Sequence, residues 1–167
     1  ITSRNIEELV DNLKDTEYYA PLKKIRDSGT GKLFDYDLAL DLYYFSTLWR
    51  KEKRLLKRKE KELFTRDCGT KIDLLNLQWI YRAKKYYHMV PPDIYSLTIP
   101  IQYRLKHDEF KALVEAPTVE EFIKLVEETY YAKHYHFGDE RTLEQMYRDA
   151  QRPLYLADRR RNPYSVA

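Results

Sequence analysis

At 167 residues, with acidic and basic side chains nearly balanced at a net charge of +3, the chain is long enough to bury its own core and too evenly charged to demand nucleic acid as a partner. Its single cysteine, Cys68, excludes an internal disulfide and any cysteine-based zinc site, which favours a reducing, intracellular setting. Sixteen tyrosines against four glycines describe long, well-packed helices with amphipathic aromatic faces rather than a loop-rich enzyme scaffold.

Apolar residues recur at helical spacing almost throughout, and no stretch sustains the period-two alternation of a strand, so the chain reads as all-α. The first helix is expected to open at Asn5, whose side chain caps while Glu8 reaches back, and to bury a stripe of Ile6, Leu9, Val10 and Leu13. A second, from Thr16 to Asp27, ends at the loop Ser28 to Gly31. From Asp37 to Phe64 there is neither proline nor glycine, which predicts one stalk-like helix of about 28 residues and roughly 42 Å. Along it Trp49, Leu56 and Leu63 repeat every seven residues as a seam for a partner helix, while Arg50 to Lys61 is strongly basic.

Gly69 then reads as a break, with Thr70 and Asp73 opening the next helix, which runs to about Tyr87 and is apolar on more than one side. Pro91 and Pro92 read as its stop, and a short helix follows from Asp93 to Leu97. Another covers Asp108 to Glu115. After Pro117, Thr118 and Glu121 form a capping box for a helix reaching Tyr131, and Thr142 with Gln145 opens the last.

No apolar run approaches the roughly 18 residues of a membrane span, and no secretory signal opens the chain, so it is expected to be soluble with no transmembrane segment of its own. It begins at Ile1 and ends at Ala167 without a polar tail, and both ends are expected to be cuts in a longer parent.

An internal repeat organises these elements. Asn5 to Tyr18 aligns with Thr118 to Tyr131 at a constant offset of 113 residues, pairing Ile6 with Val119, Leu9 with Phe122, Val10 with Ile123, Leu13 with Val126 and Thr16 with Thr129. With a shorter loop, Leu40, Asp41 and Tyr44 meet Leu143, Glu144 and Tyr147. So long a period suggests duplicated helical subdomains rather than a solenoid: one helical region over residues 1–167, with 1–116 a complete unit and 117–167 the start of a second.

Other motifs carry ordinary readings. In GTGK, Leu33 replaces the Ser or Thr of a phosphate-binding loop and Arg26 stands in place of its first glycine, leaving a surface loop. His134 and His136 supply too few groups for a metal and read as a solvated or interfacial pair. Glu120 and Glu121 suit a helix N-terminus, and no nucleophile with a nearby histidine stands out. The basic run is diluted by Glu52, Glu60 and Glu62 and reads as a solvated stalk face before an acidic protein partner, a membrane surface or nucleic acid. Asp73 and Asn76, in a helix expected to be buried, need partners, for which Arg82 is the candidate. With Asp41 and Trp49 these form the candidate structural and interaction set; no catalytic, cofactor-binding or metal-binding residue is expected, and no cofactor.

Three stretches, LDLYYF (Leu40 to Phe45), IDLLNLQWIYRAKKYY (Ile72 to Tyr87) and RRNPYSVA (Arg160 to Ala167), together with the IEEL and VEEF helix starts, resemble the family formed by the d subunit of V-type ATPases and the C subunit of A-type ATPases. The resemblance implies a non-catalytic central-stalk subunit: a funnel of three similar helical units on the cytoplasmic face of the membrane-embedded proteolipid ring, seating the rotor shaft and coupling it to proton or sodium transport. Its partners would be shaft subunits and the proteolipid ring, with peripheral, cytoplasmic location through the complex, and members are about twice this length. The alternative is a helical scaffold for another cytoplasmic complex.

Overall fold

The computed structural model describes residues 3–29, 31–135, 145, 148 and 149. Its regular elements among these are all helical: α1 (Ile6–Asn12), α2 (Tyr19–Ser28), α3 (Leu33–Leu55), α4 (Arg58–Tyr87), α5 (Pro91–Leu97), α6 (His107–Glu115), α7 (Val119–Glu128) and α8 (Tyr130–Tyr135). The helix expected to open at Thr142, the counterparts Leu143, Glu144 and Tyr147, the second histidine His136 and the stretch from Arg160 lie outside the described residues.

The fold divides into two compact units, Ile1–Leu48 and Trp49–Ala167, with the division inside α3. The first unit closes Val10 of α1, Leu22 of α2 and Tyr36 of α3 into a small core, lined by Ile6, Leu13, Ile25 and Leu40. The starts of α1 and α3 are tied locally. Asn5 Oδ1 accepts the Glu8 N–H at 2.8 Å, and Asp35 accepts the Lys32 N–H at 2.6 Å. Gly29, at φ 68°, ends α2 in the left-handed conformation that glycine adopts without Cβ strain. Arg26 bonds Asp11 at 2.9 Å and, with Lys14, holds that carboxyl below its usual range.

In the second unit α4, 30 residues long, is the axis. Leu74, Leu77, Ile80 and Ala83 from it pack with Ile94, Leu105, Phe110, Leu113, Val114, Phe122, Val126 and Tyr131 in one continuous core. The repeat boundary between residues 116 and 117 falls inside this unit, where α6 and α7 pack against each other.

The single helix expected from Asp37 to Phe64 is in fact two, separated at Leu56 and Lys57, and Gly69 and Thr70 lie inside α4 rather than between helices. Nothing in the local sequence breaks the helix there; the cause is tertiary. Glu52, 3% exposed, accepts a hydrogen bond from the Thr65 hydroxyl thirteen residues on. In one straight helix such a pair would stand about 20 Å apart. Lys57 is extended and Arg58 takes φ 51°, turning the chain so that they meet. The Trp49, Leu56, Leu63 seam is therefore interrupted, each residue only partly buried.

The two copies of the repeat share their local geometry. Thr118 Oγ1 accepts the Glu121 N–H at 3.1 Å, as Asn5 does from Glu8. At the other end the Thr16 hydroxyl donates to the Leu13 carbonyl at 2.8 Å, and the Thr129 hydroxyl donates to that of Val126 at 2.6 Å. Burial differs: Val10 is the fully buried residue of α1, whereas α7 buries Phe122 and Val126.

Candidate functional site

The IDLLNL segment places Asp73 and Asn76 one turn apart on α4, and both are completely buried. Opposite them runs the non-helical segment from Thr98 to Lys106, whose backbone groups have no helix to satisfy them. Asp73 meets that need. Its Oδ1 accepts the Tyr103 N–H at 3.1 Å, and its Oδ2 accepts those of Arg104 at 2.6 Å and Leu105 at 3.1 Å. Three successive amides thus form an anion-binding concavity. The Tyr131 hydroxyl donates to Oδ2 at 2.7 Å, adding α8 to the cluster.

Burial pushes the Asp73 carboxyl up and outweighs its backbone and Tyr131 donors; burial and the facing carboxylate push the Tyr131 hydroxyl up as well. Asn76 clamps the same segment, donating to the Ile99 carbonyl at 3.0 Å and accepting its N–H at 2.8 Å. One turn beyond Ile80, the Lys84 ammonium donates to the carbonyls of Val114 at 2.7 Å and Ala116 at 2.6 Å, closing the end of α6, and its burial lowers its pKa. Together these polar groups fix three elements, the Thr98 to Lys106 segment, the end of α6 and α8, to one face of α4.

Arg82 is not part of this cluster. It is exposed, and at nine residues from Asp73 it points to the opposite side of the helix, since nine steps of about 100° make two and a half turns. Trp49 is half-buried near the start of the second unit. Asp41 lies exposed on α3 in the first unit, its carboxyl raised by partial burial and by Asp37. The structure therefore joins Asp73 with Asn76 and leaves the other three apart. Neither Tyr131 nor Lys84 is singled out by the sequence as a partner in this cluster. The repeat brings Tyr131 to notice only as the counterpart of Tyr18, and Lys84 caps a helix other than its own.

The tyrosines form a layer around this centre. Tyr131 packs edge-on to Tyr130 and stacks on Tyr135, Tyr130 stacks with His134 at 3.8 Å, and the Arg104 guanidinium lies 5.1 Å from the rings of Tyr103 and Tyr130. A cleft of about 520 Å³ between α6, α7 and α8 is lined by Asp108, Glu109, Leu113, Leu125, Glu128 and Lys133. Among the described residues no group of His, Cys, Asp or Glu is placed to hold a metal ion, and no helix is long and apolar enough to cross a membrane. Tyr86, Tyr87 and Val90, at the end of α4 and just beyond, are left largely open to solvent.

The family model described as ATP synthase (C/AC39) subunit matches residues 1–167. The chain is similar to the A-type ATP synthase C subunit of Methanobrevibacter smithii, 31% identical over 134 residues, covering 79% of this chain and 34% of that protein. It is also similar to the A-type ATP synthase C subunit of Archaeoglobus fulgidus, 31% identical over 124 residues with 74% and 34% covered, and to that of Methanocaldococcus jannaschii, 28% identical over 132 residues with 78% and 32% covered. The matched stretch thus covers about a third of the length of these curated relatives. No solved structure gives a significant match. With the family model matched from the first residue to the last, the chain belongs to the ATP synthase (C/AC39) subunit family.

Proposed function

We propose that the chain is part of a non-catalytic central-stalk subunit of an A/V-type rotary ATPase, coupling the rotor shaft to the membrane proteolipid ring for proton or sodium transport. The whole-chain family match carries this reading. The packing is consistent with it: α4 gathers its neighbours through buried bonds of Asp73, Asn76 and Lys84, an arrangement that transmits force passively. The unit at 1–116 and the start of another at 117–167 are repeats within a longer helical subunit, located peripherally on the cytoplasmic face through its complex. Asp73 and Asn76 maintain the shape of the unit, and Asp41, Trp49 and Arg82 remain candidates for contact with shaft or ring.

Gentle extraction of the parent-length protein tests the reading. It is expected to co-purify with proteolipid ring and shaft subunits; migration alone at every salt concentration would refute the coupling role. The open apolar residues Tyr86, Tyr87 and Val90 favour a helical scaffold of another complex as the second reading. A direct shaft-binding measurement separates the two.

A further inference from the structure

From Arg50 to Lys59, RKEKRLLKRK, the chain holds seven cations and one acid. The sequence alone suggests that glutamates dilute this charge. In the fold Glu52, the one acid before the bend, is buried against Thr65, while Glu60 and Glu62 are exposed further along α4, and the chain turns shortly after Glu52 at Leu56 and Lys57. Around the turn Arg54, Lys57, Arg58 and Lys59 are exposed, and beside them Leu55 is 72% exposed. Arg58 is left-handed at the bend, and the cations that end α3 and open α4 lie within six residues of chain on either side of it.

Two physical demands meet here. The cations favour a polyanion, and the open leucine favours a partner that removes apolar surface from water. Nucleic acid satisfies the first and leaves the leucine wet. An anionic bilayer satisfies both, because phosphate headgroups lie directly above the acyl boundary, within reach of a short side chain flanked by Lys and Arg. Membership of a family that serves a membrane-bound ATPase puts such a surface nearby.

We infer that the elbow from Arg54 to Lys59 docks on anionic lipid headgroups, with Leu55 entering the headgroup layer. This goes beyond the coupling role. It requires neither shaft nor ring, so a vesicle assay can fail without touching the co-purification result, and the reverse.

Sedimentation of the 167-residue protein with vesicles of phosphatidylcholine, alone or mixed with phosphatidylglycerol, tests it. Binding is expected only to the mixed vesicles and should weaken as salt rises. Arg54→Glu with Lys57→Glu is expected to lower partitioning by about tenfold or more. Leu55→Ser should lower it by about threefold or more, with circular dichroism unchanged. If the charge-reversed chain loses its helical signal, Arg54→Gln with Lys57→Gln carries the same test. Duplex DNA serves as a polyanion without an apolar layer. Equal binding to neutral vesicles, lipid binding indifferent to Leu55→Ser, or tighter binding to the DNA than to the mixed vesicles would each overturn the inference.

Discussion

The Asp73 carboxylate and the Tyr131 hydroxyl meet at 2.7 Å across 58 residues of chain, and on the same oxygen Asp73 holds the Arg104 and Leu105 amides. The position of α8 thus depends on a side chain of α4. Asp73→Ala leaves three amides, that of Leu105 buried, and the buried Tyr131 hydroxyl without their acceptor and is expected to cost about 3–5 kcal/mol. Tyr131→Phe removes one donor and should cost about 1–2 kcal/mol. Because the two share one cluster, urea unfolding of the double variant should show a loss smaller than the sum; strict additivity would mean that the bond contributes nothing.

Asp73 also sets a pH dependence. Its native carboxyl titrates above the ordinary 3.8, so between these two values the folded chain holds a proton that the unfolded chain releases. The stabilising contribution of that proton is full below pH 3.8 and is lost as pH rises through the native value. Asp73→Asn lacks this titration, and comparison with the parent cancels all other carboxyls. The stability deficit of Asp73→Asn should therefore narrow as pH rises through the window, measured by chemical unfolding from acid to neutral pH. A widening deficit contradicts the assignment.

Asn76 uses both ends of its amide on Ile99. Asn76→Asp keeps the acceptor and removes the donor, setting a carboxylate against the Ile99 carbonyl in a fully buried place. A loss of about 2–4 kcal/mol is expected. Faster hydrogen exchange at the Ile99 amide is the local readout.

Gly69 is a contact, not a breaker. A Cβ there would lie 2.5 Å from Cγ and 2.7 Å from Cβ of Tyr103, atoms too near the backbone to swing away. Gly69→Ala gains about 1 kcal/mol of helix propensity and loses about 1–3 kcal/mol to overpacking. A lowered melting temperature is expected, with partial recovery when Tyr103 is also truncated to Ala. A rise for Gly69→Ala alone would show that the contact yields freely.

What the sequence made legible was local. Asn5 with Glu8, and Thr118 with Glu121, are side-chain-to-backbone bonds spanning three residues, so the starts of α1 and α7 were readable. Prolines misled in one place: Pro91 opens α5 rather than lying in a stop before Asp93, because its fixed φ and absent N–H suit a first helical position. The elbow after Leu55 was invisible, since Lys, Arg, Glu and Leu all favour helix and only the distant Thr65 draws Glu52 inward. The partner of Asp73 was hidden for the same reason, although the helical wheel already argued against Arg82.

The clasp between Asp73 and Tyr131 also orders events in time. A ribosome adding about 5–20 residues per second needs roughly 3 to 12 s to make the 58 residues that separate them. For that interval Asp73 can hold the Tyr103 to Leu105 amides only after they too have emerged, and α4 must keep a carboxylate hydrated on the face that later becomes its driest. The second unit therefore completes this part of its core only when the tyrosine of α8 arrives to exclude water from the charge.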